Sequence, residues 1–136
     1  MAIFASQDGN PLADLFSIKT MLPIEFTKEN PKESSRMFDQ WDEKTDGADL
    51  KEVASQPITF NYHRFGLHPE KFDQDPKLAE MFKVIAISSD PDRTGDKEKE
   101  EGSVDPNNRF VAIMESEDYK FYGTMFHPEK SLQKQN

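Results

Sequence analysis

Two apolar runs near the end of the chain, Arg109-Phe110-Val111-Ala112-Ile113-Met114-Glu115 and Phe121-Tyr122-Gly123-Thr124-Met125-Phe126, are separated by a short connection that begins Ser116-Glu117-Asp118. Apolar runs of this kind, with β-branched and aromatic residues, predict strands. A connection so short cannot hold a parallel crossover, so the two strands are expected to be antiparallel neighbours. Phe121 to Phe126 then reads as a buried strand. Pro128 stops it, because proline has no amide hydrogen to give a sheet ladder. His127 is placed at the carboxyl end of that strand, with Glu129 two residues on. In open α/β sheets this edge is where ligands bind. A histidine oriented there by a carboxylate is arranged as a general base or acid. The tripeptide alone is more often a strand terminus followed by a turn, and it recurs at His68-Pro69-Glu70.

The rest of the chain gives a mixed α/β pattern. Met1, Ile3 and Phe4 read as the tail of a buried helix, and residues 1–6 lack the basic region and full apolar segment of a signal peptide. Asp8-Gly9-Asn10-Pro11 is a turn cluster. Leu12, Leu15, Phe16 and Ile18 have a short helical spacing or form an irregular apolar segment. Met21 to Phe26 is a short strand broken by Pro23, and residues 27–35 are polar and turn-rich. Asp39, Asp42, Glu43 and Asp46 with Gly47 read as a solvated connection. Asp49 caps a short helix over 50–54.

Pro57-Ile58-Thr59-Phe60-Asn61-Tyr62 predicts a strand. It delivers His63-Arg64-Phe65-Gly66, a polar cluster at a strand end and the second candidate site. A histidine in such a place is more often a structural residue with its bonds satisfied. Asp75-Pro76 starts a helix with Leu78, Met81 and Phe82 on its apolar face. Val84 to Ile87 is a strand ended by Ser88-Ser89-Asp90-Pro91. Residues 90–108 lack apolar periodicity and cannot offset their ordering entropy, so they predict a mobile acidic loop. A plain solvated loop is the commoner form of such a tract; a partner-binding one is the alternative.

The 136 residues suit one domain at most. A formal net charge of −9 disfavours nucleic acid and anionic membrane as partners. No apolar run is long enough to cross a bilayer. Cysteine is absent, which excludes disulfides, thiolate-held metal and a cysteine nucleophile inside this chain. His63, His68 and His127 follow no metal-site spacing. No metal and no cofactor are expected.

Tyr122-Gly123 leading to Phe126-His127-Pro128-Glu129-Lys130 resembles the closing motif of class I glutamine amidotransferase-like hydrolases. Further pieces fall in the order seen in one branch of that class, the γ-glutamyl hydrolases. These are Ser35-Arg36-Met37-Phe38, the run 57–66, Lys77-Leu78-Ala79-Glu80-Met81-Phe82, and Met114-Glu115. The resemblance covers the chain from about residue 20 onward. It implies a flavodoxin-like α/β fold of the class I glutamine amidotransferase type, of which this chain would be the carboxyl-terminal portion. It also implies a Cys-His-Glu site cleaving γ-linked glutamate from a folyl-poly-γ-glutamate substrate, and a lysosomal, vacuolar or secreted location.

On that resemblance His127 and Glu129 are the catalytic histidine and its acidic partner. His63, Arg64 and Phe65 belong to the substrate pocket, with Phe65 standing where a tryptophan can stand in the family. The family's cysteine elbow would lie just before residue 1, so 1–136 would be a partial domain needing a missing amino-terminal half or partner chain. A homodimer is a further assembly the resemblance allows. The tract 90–108 is longer than the family's turn, and the carboxyl-terminal helix that usually follows the closing motif is expected to be missing after residue 136. A sheet short of strands exposes edges, so the segment is not expected to be stable alone. Two readings compete with the hydrolase: a glutamine amidotransferase domain passing ammonia to a synthetase, and an inactive remnant kept as a structural or interaction module.

Overall fold

The structure, a computed structural model, describes Ser6, residues 10–92 and residues 103–133, the last three by backbone alone. In chain order the described elements are β1 (Ala13–Leu22), β2 (Glu25–Phe26), α1 (Pro31–Ser34), α2 (Glu43–Asp46), α3 (Leu50–Ala54), β3 (Thr59–Gly66), α4 (Pro69–Gln74), α5 (Pro76–Met81), β4 (Phe82–Pro91), β5 (Val104–Ser116), β6 (Tyr122–Thr124) and α6 (Pro128–Gln133). β1 and β3 form one sheet; the other has the order β2-β4-β5-β6. Every strand pairing among the described residues is antiparallel, so the fold is mixed α/β on antiparallel sheets.

β5 is the spine. Phe110 to Ser116 are all buried, so both faces of the strand are covered. Two apolar clusters meet along it. Val111 and Met114 belong to one, with Leu67, Phe72, Leu78 and Phe82. Phe110, Ala112 and Ile113 belong to the other, with Leu15, Leu22, Ile85 and Ala86. β6 pairs with β5 through Ile113↔Thr124, Met114↔Gly123 and Glu115↔Tyr122. The antiparallel hairpin expected near the end of the chain is therefore present.

Its second strand is shorter than the apolar run implied. The strand itself is Tyr122–Thr124, flanked by backbone bonds to β5 from Phe121 and Met125, and Phe121 is 59% exposed. Among the described residues β6 is an edge strand with one neighbour, so its outer residues meet solvent rather than a core. Pro128 also does more than end a strand. It opens α6, because its missing amide hydrogen is one the first helical turn leaves unused anyway.

Three further expectations are corrected. The segment from Leu12 to Ile18 is not helical; it enters β1, where Leu15 and Ser17 point inward and Phe16 outward. Register shifts between Asp14 and Ser17 and between Ile18 and Thr20 break the two-residue period, and Lys19 takes φ 51° at the second. The bulged strand thereby imitates a helical spacing. His63-Arg64-Phe65-Gly66 does not follow a strand but completes β3. Gly66 lies close against Leu15, whose side chain would have to shift to make room for a Cβ.

β4 continues through Ser88-Ser89-Asp90-Pro91, and β5 begins at Val104, so both margins of the tract 90–108 are strand. Pro91 is opposite Val104, and the Asp92 amide donates to the Ser103 carbonyl at 3.0 Å. These polar residues pair because they find partners inside the fold. Buried Asp90 accepts from the Phe16 amide, the Ser17 hydroxyl and the Asn108 side-chain amide. Residues 93–102, at the centre of the tract, and 1–5, read as a helix tail, lie outside the described residues.

Three of the short helices, α2, α3 and α5, start at a side-chain cap. Asp49 accepts from the amides of Lys51 and Glu52 at the start of α3, and Asp75 from those of Lys77 and Leu78 at the start of α5. The solvated connection at 39–47 contains α2, capped by Asp42 and closed by Gly47 at φ 82°.

Candidate functional site

His127 follows β6 by three residues and precedes the first residue of α6. Its amide donates to the Phe60 carbonyl of β3 at 2.8 Å, which ties the start of α6 to the other sheet. The imidazole Nδ1 lies 2.9 Å from Glu129 Oε1. An ionised carboxylate only accepts, so Nδ1 carries the hydrogen and Nε2 is left as the lone-pair nitrogen of the neutral ring. The pair is open to water: the side chains of His127 and Glu129 are 41% and 59% exposed. The Glu129 carboxyl is held below the usual carboxylate range, first by its own backbone amide and then by the His127 ring.

His63 approaches from β3. Its edge meets Phe110 with ring centroids 4.9 Å apart, and the Phe60 and His127 rings lie 6.5 Å apart. Asn61 fixes the His63 tautomer. The Asn61 amide nitrogen donates to the Thr59 carbonyl at 2.8 Å, so Asn61 Oδ1 faces His63 Nε2 at 3.1 Å and must accept from it. Nδ1 of His63 is buried without a hydrogen bond of ordinary geometry; the nearby Phe65 backbone acts on the ring only weakly. Burial pushes the His63 pKa below 6.5; the charge of Asp90 opposes this, and His127 adds to it. His63 and His127 are thus close enough to repel when both are charged.

Stability is expected to reflect this. In the unfolded chain His63 takes its proton near 6.5, and in the fold only at lower pH. Between the two values the unfolded state holds more protons, so acid favours unfolding. The urea midpoint should fall as pH drops below 6.5, and His63→Gln should remove that limb of the curve. Identical pH profiles for the two proteins would show that His63 titrates as in the open chain.

The other two pocket candidates are placed differently. Arg64 alternates with His63 along β3, which puts it on the opposite face, and it is exposed. Phe65 is 56% exposed. The structure therefore brings together His127, Glu129 and His63, and leaves Arg64 apart from them. His68, with the same tripeptide, differs in chemistry though not in local structure. It too precedes a helix-opening proline, but its Nδ1 donates to the Arg109 carbonyl at 2.6 Å and so braces β5.

Sequence reading missed the polar groups around His63. Asn61 and Ser17 are almost wholly buried, and Ser17 is the register partner of His63. Their alternation with exposed neighbours was the available signal. A cavity of about 550 Å³ lies between β2, α3 and β4, and neither His63 nor His127 lines it. Among the described residues no cluster of His, Cys, Asp and Glu has the form of a metal site. No helix among them is long and apolar enough to cross a membrane.

No protein-family model matches the chain. Gamma-glutamyl hydrolase B of Dictyostelium discoideum is 35% identical over 82 residues, covering 60% of this chain and 20% of that protein. Gamma-glutamyl hydrolase of Rattus norvegicus is 29% identical over 132 residues, 96% of this chain and 34% of the rat protein. The Bos taurus gamma-glutamyl hydrolase is 30% identical over 121 residues, 88% of this chain and 30% of its own. The chain spans between 20% and 34% of the length of these curated relatives. Matched by them over most of its own length, the chain is related to the gamma-glutamyl hydrolases.

Proposed function

We propose that this chain supplies the His127–Glu129 part of a Cys-His-Glu site that hydrolyses γ-glutamyl bonds, with a folyl-poly-γ-glutamate as substrate. The observation that carries this reading is the 2.9 Å contact between His127 Nδ1 and Glu129, in a chain related to γ-glutamyl hydrolases. The thiol is supplied by polypeptide outside this sequence, which has no cysteine. With Nδ1 held by Glu129, His127 Nε2 takes the thiol proton. The thiolate attacks the γ-glutamyl carbonyl, and the imidazolium returns the proton to the departing amine. Water then hydrolyses the thioester with His127 again as base. His63, kept neutral by burial, positions substrate beside it. The antiparallel strands described here form the carboxyl-terminal portion of a flavodoxin-like sheet of the class I glutamine amidotransferase type. By the same resemblance the enzyme works in a lysosomal, vacuolar or extracellular compartment.

The test is a fusion in which this chain replaces the matched third of the rat enzyme. Cleavage of folyl-γ-diglutamate, with the thiol blocked by alkylation as control, is the expected result. An intact fusion with a reactive thiol and no cleavage would favour the second reading, an inactive remnant serving as a structural or interaction module. The absent cysteine is what favours that alternative.

A further inference from the structure

Glu115 is the largest buried acid outside the site, with no exposed surface, and it lies on β5 directly opposite Tyr122 of β6. Its carboxylate accepts from the Ser35 hydroxyl at 2.5 Å, from the Arg36 amide at 3.2 Å and from Arg36 Nε at 3.1 Å; Lys83 Nζ stands 3.8 Å away. The Arg36 guanidinium then reaches past Glu115. Its Nη2 donates to the carbonyls of Ser116 and Tyr119, at 2.5 and 2.7 Å. Ser116 ends β5, and Tyr119 lies in the turn between β5 and β6. The two residues after Arg36 continue into the core: Met37 and Phe38, like Met125 and Phe126 before His127, pack against the cluster around Phe110 and Ile113, and the Phe38 ring meets Phe26 of β2 with centroids 5.2 Å apart.

β6 needs such help. It pairs over three residues with one further backbone bond to β5 at each end, has one neighbour among the described residues, and leads within three residues to the imidazole. We propose that Ser35-Arg36 is a positioning element for His127: Arg36, seated on Glu115 beside Ser35, clamps the end of β5 and the turn that follows it, so that the pair fixes where β6 delivers the histidine. This deepens the proposed function and rests on His127 being the working base. Arg36 does not touch substrate in this scheme; it acts through the strand.

Lysine is the informative replacement. Arg36→Lys keeps the positive charge beside Glu115 but cannot hold the carboxylate and two carbonyls at once with one ammonium. The fusion enzyme carrying Arg36→Lys is expected to lose about tenfold or more in kcat with KM changed less than about twofold, because a misplaced base weakens the chemical step and not substrate binding. In the full chain, the ring ¹⁵N shifts of His127 should move toward those of the Glu129→Gln protein, a sign that the Nδ1 contact has loosened.

A merely structural Arg36 predicts something else: a lower unfolding midpoint with kcat and the His127 ring shifts unchanged. That result overturns the proposal. The nitrogen shifts need no turnover, so they still decide the question if the unmodified fusion proves inactive, in which case it is the hydrolase reading that has failed. If Arg36→Lys falls below a usable stability in the isolated chain, kcat and KM in the fusion decide, and an unchanged kcat there counts against the clamp.

Discussion

Turnover of folyl-γ-diglutamate by the fusion enzyme should fall about 10⁴-fold when His127 is replaced by alanine, because the histidine serves twice, ionising the thiol and then protonating the leaving amine. No other group in the described residues stands ready to replace it. His63 is close, but its Nε2 hydrogen is committed to Asn61 and burial holds it neutral. Glu129→Gln should cost less. The glutamine oxygen can still accept from Nδ1, so the tautomer survives and only the charge that stabilises the imidazolium is lost. His63→Ala should act chiefly on KM. The measurement is steady-state cleavage, with the rate of thiol alkylation followed alongside. A His127→Ala enzyme whose thiol reacts and turns over normally would reduce His127 to what His68 already is, a residue placed before a helix-opening proline.

The second large effect concerns stability. Glu115→Gln is expected to lower the free energy of unfolding by about 3 kcal/mol, as breaking a buried, hydrogen-bonded charge set does. The amide would accept on one side but present its own N–H groups to donors, and Arg36 and Lys83 would lose their counter-charge. Acid should act in the same direction. Burial alone would raise the Glu115 carboxyl, but the Ser35 hydroxyl, the amide and guanidinium of Arg36 and the Lys83 ammonium outweigh it and hold it below 4.5. A carboxyl lowered in the fold stabilises above its unfolded value and loses that contribution as pH falls through its folded value. Resistance to urea should therefore weaken below 4.5 in the unmodified protein, beyond the limb assigned to His63, and the Glu115→Gln protein should lack that second limb. Equal midpoints at neutral pH for the two proteins would mean that Glu115 is held no better than an amide.

What the sequence made legible follows from which forces act locally. The helix starts at Asp49 and Asp75 were readable because capping is settled within four residues. The β5–β6 hairpin was readable because a short connection leaves one geometry. β1 was not, because two bulges written into its pairing with β3 erase the alternation that marks a strand. The strand margins at 90–91 and 104–108 were not readable either. Their polar residues are buried by partners far away in sequence, as Asp90 is by Phe16 and Ser17. At the site, the nearness of His127 and Glu129 was set by two residues of spacing. The separation of Arg64 from His63 depended on β3 continuing to Gly66, where a polar cluster had suggested that the strand was over. The pairing of Ser35-Arg36 with Glu115 spans about eighty positions, and no local pattern announces it.

The far end of the β4–β5 hairpin has a consequence for engineering. Asp92 and Ser103 are joined by a backbone hydrogen bond, and Pro91 and Val104 are already in register below them. The span between those two residues is therefore anchored at both ends by the sheet itself. A redesign that reaches this end of the hairpin has to leave Asp92 and Ser103 within hydrogen-bonding distance, because their bond and the Pro91–Val104 pair set the register in which β4 and β5 run down to the buried spine.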